Sequence, residues 1–118
     1  MLEDRIMRPG KNIAIKVPLY QWDSTVAYYR DRVGLKVSRI LNDSVGFSFG
    51  GMTLWIDRVS HQSQSDVWLE LFTDDPDGAL ERLGSPERDE LEPLDTVTGH
   101  WTSDPAGTVL LIRKEKSA

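Results

Sequence analysis

Between residues 11 and 35, KNIAIKVPLYQWDSTVAYYRDRVGL, the spacing of apolar residues changes from that of a strand to that of a helix. Ile13, Ile15 and Val17 alternate, which puts them on one face of a strand. Pro18 ends that ladder because it has no N–H to donate. Val26, Tyr29 and Val33 then recur at helical spacing as a buried stripe, with Tyr28 at its rim. Asp23 suits the N-cap, Trp22 a staple across the first turn and Gly34 the C′ position, so the spacing predicts a helix over 23–33. The other face of the strand carries Asn12, Ala14 and Lys16, a polar set that a wholly buried strand does not explain.

Three strand-like runs follow, Leu35–Leu41, Val45–Phe49 and Met52–Val59, separated by the turn dipeptides Asn42-Asp43 and Gly50-Gly51. Residues 60–66, SHQSQSD, are polar and read as an exposed connector. The order then restarts. Val67, Leu69 and Leu71 alternate, TDDPDGALERLG opens a helix on a proline and closes it on Gly84, and a charged, proline-bounded loop spans 85–93. Leu94–Thr98 and His100–Ser103 are expected as short strands, DPAG at 104–107 as a tight turn, and Thr108–Arg113 as the last strand. The chain thus reads as one domain over 1–118, with a first module at about 11–59, the connector at 60–66 and a second module at about 67–114. Each module runs β-α-β-β-β, a pattern repeat of about 50 residues.

Length and composition narrow the functional classes. At 118 residues there is room for one core and no second domain of ordinary size. Cysteine is absent, so disulfides, a thiolate nucleophile and a Cys-based zinc site are excluded; this suits a reducing cytoplasm. No apolar run approaches the length of a membrane span, and the opening MLEDRIMRPG carries charges where a signal peptide needs an apolar core. The net charge is −5 and the 14 basic residues are scattered, which argues against a nucleic-acid groove. A small-molecule ligand is the expected partner, with neither nucleic acid nor membrane.

In each strand one alternate set is aliphatic: Ile13/Ile15/Val17, Leu54/Ile56, Val67/Leu69/Leu71 and Leu110/Ile112. These are expected to face the helices. The opposite set is Asn12/Ala14/Lys16, Thr53/Trp55/Asp57, Trp68/Glu70/Phe72 and Val109/Leu111/Arg113. Aromatics with sparse charges describe a ligand wall, where flat area supplies affinity and a few polar groups supply orientation. The same residues also suit plainer roles: Trp55 and Trp68 as filling or as part of a dimer seam, and Lys16, Asp57, Glu70 and Arg113 as ion pairs. His61, in the connector, reads as solvated. His100, beside Trp101, is a candidate general base or hydrogen-bonding partner. No phosphate loop, nucleophile elbow or Ser-His-Asp order is present.

The stretch NIAIKVPLYQWDSTVAYYRDRVGL, together with LELFTDDPDGALERL and the closing DPAGTVLLI, resembles the vicinal oxygen chelate superfamily of glyoxalases, bleomycin-resistance proteins and extradiol dioxygenases. The resemblance covers residues 12–114. It implies an α+β fold of two βαβββ modules whose curved mixed sheets surround a cavity, commonly in a homodimer with exchanged or face-packed modules. In metal-dependent members four side chains from the strands meet at one metal. Those positions fall here on Asn12, Trp55, Trp68 and Leu111, none of them a good ligand for a divalent ion.

The expectation is therefore metal-independent binding of a small, partly aromatic molecule, as in sequestration of an antibiotic, with no cofactor. Asn12, Lys16, Trp55, Asp57, Trp68, Glu70, Phe72, Trp101, Leu111 and Arg113 are the candidate ligand-binding residues. The alternative is a diverged lyase, isomerase or dioxygenase. It would use Glu70 or His100 as catalytic groups, or a divalent metal on replacement ligands such as Asp57, Glu70 and His100.

Overall fold

The computed structural model describes residues 7–115. Among them the strands are β1 (Met7–Val17), β2 (Val37–Ile40), β3 (Ser44–Phe49), β4 (Met52–Arg58), β5 (Asp66–Thr73), β6 (Gly99–Ser103) and β7 (Val109–Arg113). The helices are α1 (Leu19–Ala27), which continues as a π-helical turn over Tyr28–Val33, and α2 (Pro76–Leu83). The architecture is α+β with mixed sheet pairing. No described helix is long and apolar enough to cross a membrane. The chain divides into two compact units, Lys11–Trp68 and the residues on either side of it.

Within Lys11–Trp68 the strands lie in the order β2-β3-β4-β1. β1 runs parallel to β4, and the β2/β3 and β3/β4 pairs are antiparallel. Register puts Ile13 and Phe47 beside Leu54, and Ile15 and Val45 beside Ile56. These residues form one face, and Val17, Val26, Val45, Phe47, Leu54 and Ile56 are the buried core upon it. Trp22 and Tyr29 pack against that core from the helix. The Trp22 indole also donates to the Ile56 carbonyl at 3.0 Å, and the Tyr29 ring meets Phe47 with centroids 6.4 Å apart.

The helix begins earlier than its spacing predicts. Pro18 occupies the N-cap and α1 starts at Leu19, so Asp23 lies inside the helix and does not cap it. Leu19 and Tyr20 are exposed and gave no periodic signal. The π-helical turn then shifts the register of the stripe, because i→i+5 bonding inserts extra residues per turn. Val26 is buried as expected, whereas Val33 is turned out and 49% exposed. Gly34 ends the element as predicted, at φ 84°, a left-handed conformation that costs glycine nothing.

In the other unit β5, β7 and β6 are neighbours, with β6 and β7 antiparallel. α2 is capped by Asp75, whose carboxylate accepts from the Gly78 N–H at 3.1 Å, and it opens on Pro76. It packs against β6 and β7 over Ala79 and Ile112, both fully buried. The DPAG turn forms as expected, with the Asp104 carboxylate accepting from the Ala106 and Thr108 N–H groups at 2.9 Å each.

Two expectations fail here. Leu94–Thr98 is not a strand. The 85–93 loop meets β6 instead, through Arg88 N–H to the Trp101 carbonyl at 2.8 Å and the Thr102 hydroxyl to the Pro86 carbonyl at 2.8 Å. In β5 the aliphatic set is not the covered one. Val67 and Leu69 are 43% and 37% exposed, whereas Trp68, Glu70 and Phe72 are buried. α2 is only eight residues long and lies over β6 and β7, so alternation marked the two faces of β5 without telling which was covered.

Candidate functional site

Opposite the core of Lys11–Trp68, strands β3, β4 and β1 set out three rungs. They are Ser48–Thr53–Asn12, Gly46–Trp55–Ala14 and Ser44–Asp57–Lys16. The middle rung gives Trp55 two small neighbours, and the indole lies down over Gly46. A Cβ added at Gly46 would sit 3.0 Å from the ring. The Trp55 indole N–H reaches one rung along and donates to Asn12 Oδ1 at 2.7 Å. On this face Asn12, Ala14, Thr53 and Trp55 are half-buried and Ser48 is exposed.

The third rung is interior. Lys16 Nζ lies 2.8 Å from Asp57 Oδ2, with the two side chains 6% and 16% exposed. The Ser44 hydroxyl donates to the other Asp57 oxygen at 2.6 Å. The Lys16 ammonium also stands 4.2 Å from the centroid of the Trp68 ring, a cation–π contact in a desolvated setting. The Trp68 N–H is held by Asp66 at 2.9 Å. A buried ion pair whose remaining lone pairs and faces are occupied is internally satisfied, the condition under which such charges are tolerated.

In the second unit Arg113 Nη1 lies 3.5 Å from Glu70 Oε2, and both side chains are largely buried. The guanidinium groups of Arg8 and Arg113 lie 5.8 and 5.9 Å from the Phe72 ring centroid. Trp101 stands beside Leu111 in the β6/β7 register, on the same face as Arg113. His100 is on the opposite face, level with the fully buried Ile112. Its Nδ1 meets Glu87 Oε2 at 2.5 Å and its Nε2 meets Asp77 Oδ1 at 2.6 Å. Glu87, then Asp77, raise its pKa above the ordinary histidine value by favouring the imidazolium. His100 and Glu70 therefore do not converge on a common point. His61 is exposed in the connector.

Several partners in these arrangements gave no sign in the sequence: Ser44, Gly46 and Asp66 in one unit, and Arg8, Asp77 and Glu87 in the other. Ser44 and Gly46 alternate with the apolar Val45 and Phe47, so the face of β3 was readable, but their partners depend on strand register.

No protein-family model and no curated protein matches the sequence. Solved structures do match. Methylmalonyl-CoA epimerase from Mycobacterium tuberculosis superposes with a TM-score of 0.65 at 14% identity, over 99% of this chain and 94% of that one. A glyoxalase/bleomycin resistance protein/dioxygenase superfamily member from Vibrio splendidus gives 0.57 at 11% identity, over 92% and 99%. The chain has the vicinal oxygen chelate fold. A variant of homoprotocatechuate 2,3-dioxygenase from B. fuscum gives 0.60 at 14% identity over 94% of this chain, which spans only 33% of that enzyme.

The positions at which metal-dependent members of the vicinal oxygen chelate superfamily are expected to hold their ion do not suit one here. Asn12 offers a single neutral amide oxygen, which accepts from the Trp55 indole N–H. Trp55 and Trp68 have only N–H donors and Leu111 has no polar side-chain atom. Among the described residues no three His, Cys, Asp or Glu side chains are grouped to hold a metal ion. The donor chemistry of these four positions does not fit a divalent cation.

Proposed function

We propose that this chain binds a small, flat, partly aromatic molecule without a metal ion, with the Trp55 ring as the stacking surface. The observation that carries this reading is the Trp55–Asn12 pair. The indole N–H is spent on Asn12, so the ring offers its flat face beside an amide rather than its polar edge. Lys16 and Asp57, one rung along the same face and with Lys16 over the Trp68 ring, form a fixed ion pair that keeps this face rigid, which lowers the ordering cost of binding. Binding of this kind suits sequestration, and the superfamily of one structural neighbour, whose name includes bleomycin resistance proteins, makes antibiotic resistance a natural setting. A cytoplasmic homodimer belongs to the same reading.

The test is tryptophan fluorescence during titration with a panel of planar aromatic compounds. Saturable quenching that is lost in Trp55→Ala supports the reading; binding unchanged in Trp55→Ala removes the proposed wall.

The second reading is a diverged enzyme, favoured by the epimerase among the structural neighbours. Its strongest acid–base candidate is Glu70, a buried carboxylate beside Arg113. Turnover abolished by Glu70→Gln in an otherwise folded protein would move the conclusion to that side.

A further inference from the structure

We infer that the molecule bound on the Trp55 face is an acid, a planar aromatic carboxylate whose charged group is taken by Arg39. This rests on the proposed stacking role of Trp55 and adds the chemical class that the face selects. The second rung, Gly46–Trp55–Ala14, continues onto the outermost strand β2, where Arg39 is the register partner of Gly46. Directly opposed residues of paired strands share a face, so Arg39 stands on the Trp55 side of the sheet.

A bulge puts it there. Val37 pairs with Phe47 and Ile40 with Val45, so β2 has two residues, Ser38 and Arg39, where β3 has only Gly46. The Ser38 hydroxyl donates to the Gly46 carbonyl at 3.2 Å and holds the bulge against β3. Neighbouring strands lie about 4.8 Å apart, so Arg39 is about 10 Å from Trp55, backbone to backbone. The indole closes part of that gap, because its Cζ3 and Cε3 atoms lie over Gly46, the residue between them. A one- or two-ring acid lying on the indole therefore carries its carboxylate to the guanidinium.

Charge points the same way. On this face Asp57 is paired with Lys16, and Asp43, at the β2/β3 turn, is paired with Arg58. Arg39 is exposed, and among the described residues its side chain makes no hydrogen bond, ion pair or ring contact. Lys36, whose carbonyl accepts from the Ser48 N–H at 2.8 Å, adds a second exposed cation at the end of the first rung. A carboxylate here meets a flat aromatic surface beside a fork of N–H donors, the geometry by which arginine recognises planar anions. A cation is repelled.

The test titrates the full chain with naphthoate and its uncharged counterpart naphthamide, read by calorimetry. Naphthoate is expected to bind on the order of fivefold tighter than the amide. Arg39→Gln is expected to bring naphthoate down to the affinity of the amide, and Arg39→Lys to keep part of the difference. No saturable binding of naphthoate, equal affinity of wild type for the two probes, or an advantage that survives Arg39→Gln would overturn the inference. Equal affinity with binding of both probes lost in Trp55→Ala overturns this inference alone. Binding of both that survives Trp55→Ala overturns the stacking reading on which it rests.

Discussion

The indole N–H of Trp55 donates to the side-chain oxygen of Asn12 at 2.7 Å, joining neighbouring rungs of two parallel strands. This contact orients the ring and satisfies both polar groups. Asn12→Leu is expected to destabilise the fold by about 1–3 kcal/mol, because a half-buried indole N–H loses its acceptor. Asn12→Asp, which keeps an acceptor in place, is expected to cost less. Urea denaturation of the two variants measures the difference.

Lys16 and Asp57 form a desolvated pair, so their single and double variants should not add. Lys16→Met leaves the Asp57 carboxylate buried without its counter-charge and should cost about 3 kcal/mol or more. Adding Asp57→Leu is expected to recover most of that loss, since two apolar side chains can replace a buried pair at little net cost. A double-mutant cycle by chemical denaturation reads the coupling; strict additivity would mean that the pair is solvated and of no consequence.

Gly46 is the floor on which the Trp55 ring rests. Gly46→Val would place side-chain atoms where the ring and Thr53 already lie, the nearest ring atom being 3.0 Å from the first added carbon. The expected outcome is a loss of about 1–3 kcal/mol from overpacking, with a red-shifted tryptophan emission as the ring is pushed toward water. Unchanged emission and stability would show that the ring does not depend on that floor.

His100 links α2 to the 85–93 loop through Asp77 and Glu87. Its pKa is raised in the folded state, so its contribution to stability is fully present below the unfolded value of about 6.5 and fades as pH rises through the folded value. His100→Gln should therefore be less stable than wild type by about 1 kcal/mol near pH 6, with the two curves converging in more alkaline solution. Thermal melts across that range check the sign. A gap that widens with pH would contradict it.

Alternation along the strands showed which residues share a face, and β1, β3 and β4 follow it closely. It could not show which face of β5 is covered, because that depends on where a short helix comes to rest: Val67 and Leu69 are exposed while Trp68 and Glu70 are buried. The start of α1 was hidden because its first turn carries the exposed Leu19 and Tyr20, and the stripe failed at Val33 because the last turn is π-helical. In the same way the sequence placed Lys16 and Asp57 among the non-aliphatic residues, but their pairing rests on the parallel β1/β4 register. The separation of His100 from Glu70 follows from the β6/β7 register, in which Trp101 and Arg113 share a face and His100 takes the other.

The proposed function requires that the face carrying Trp55 and Asn12 bind its ligand without a metal ion. Elemental analysis of protein purified without chelator tests it most directly. The account predicts zinc, nickel, manganese and iron all far below one ion per chain. One equivalent of any of them, retained through gel filtration, would contradict it.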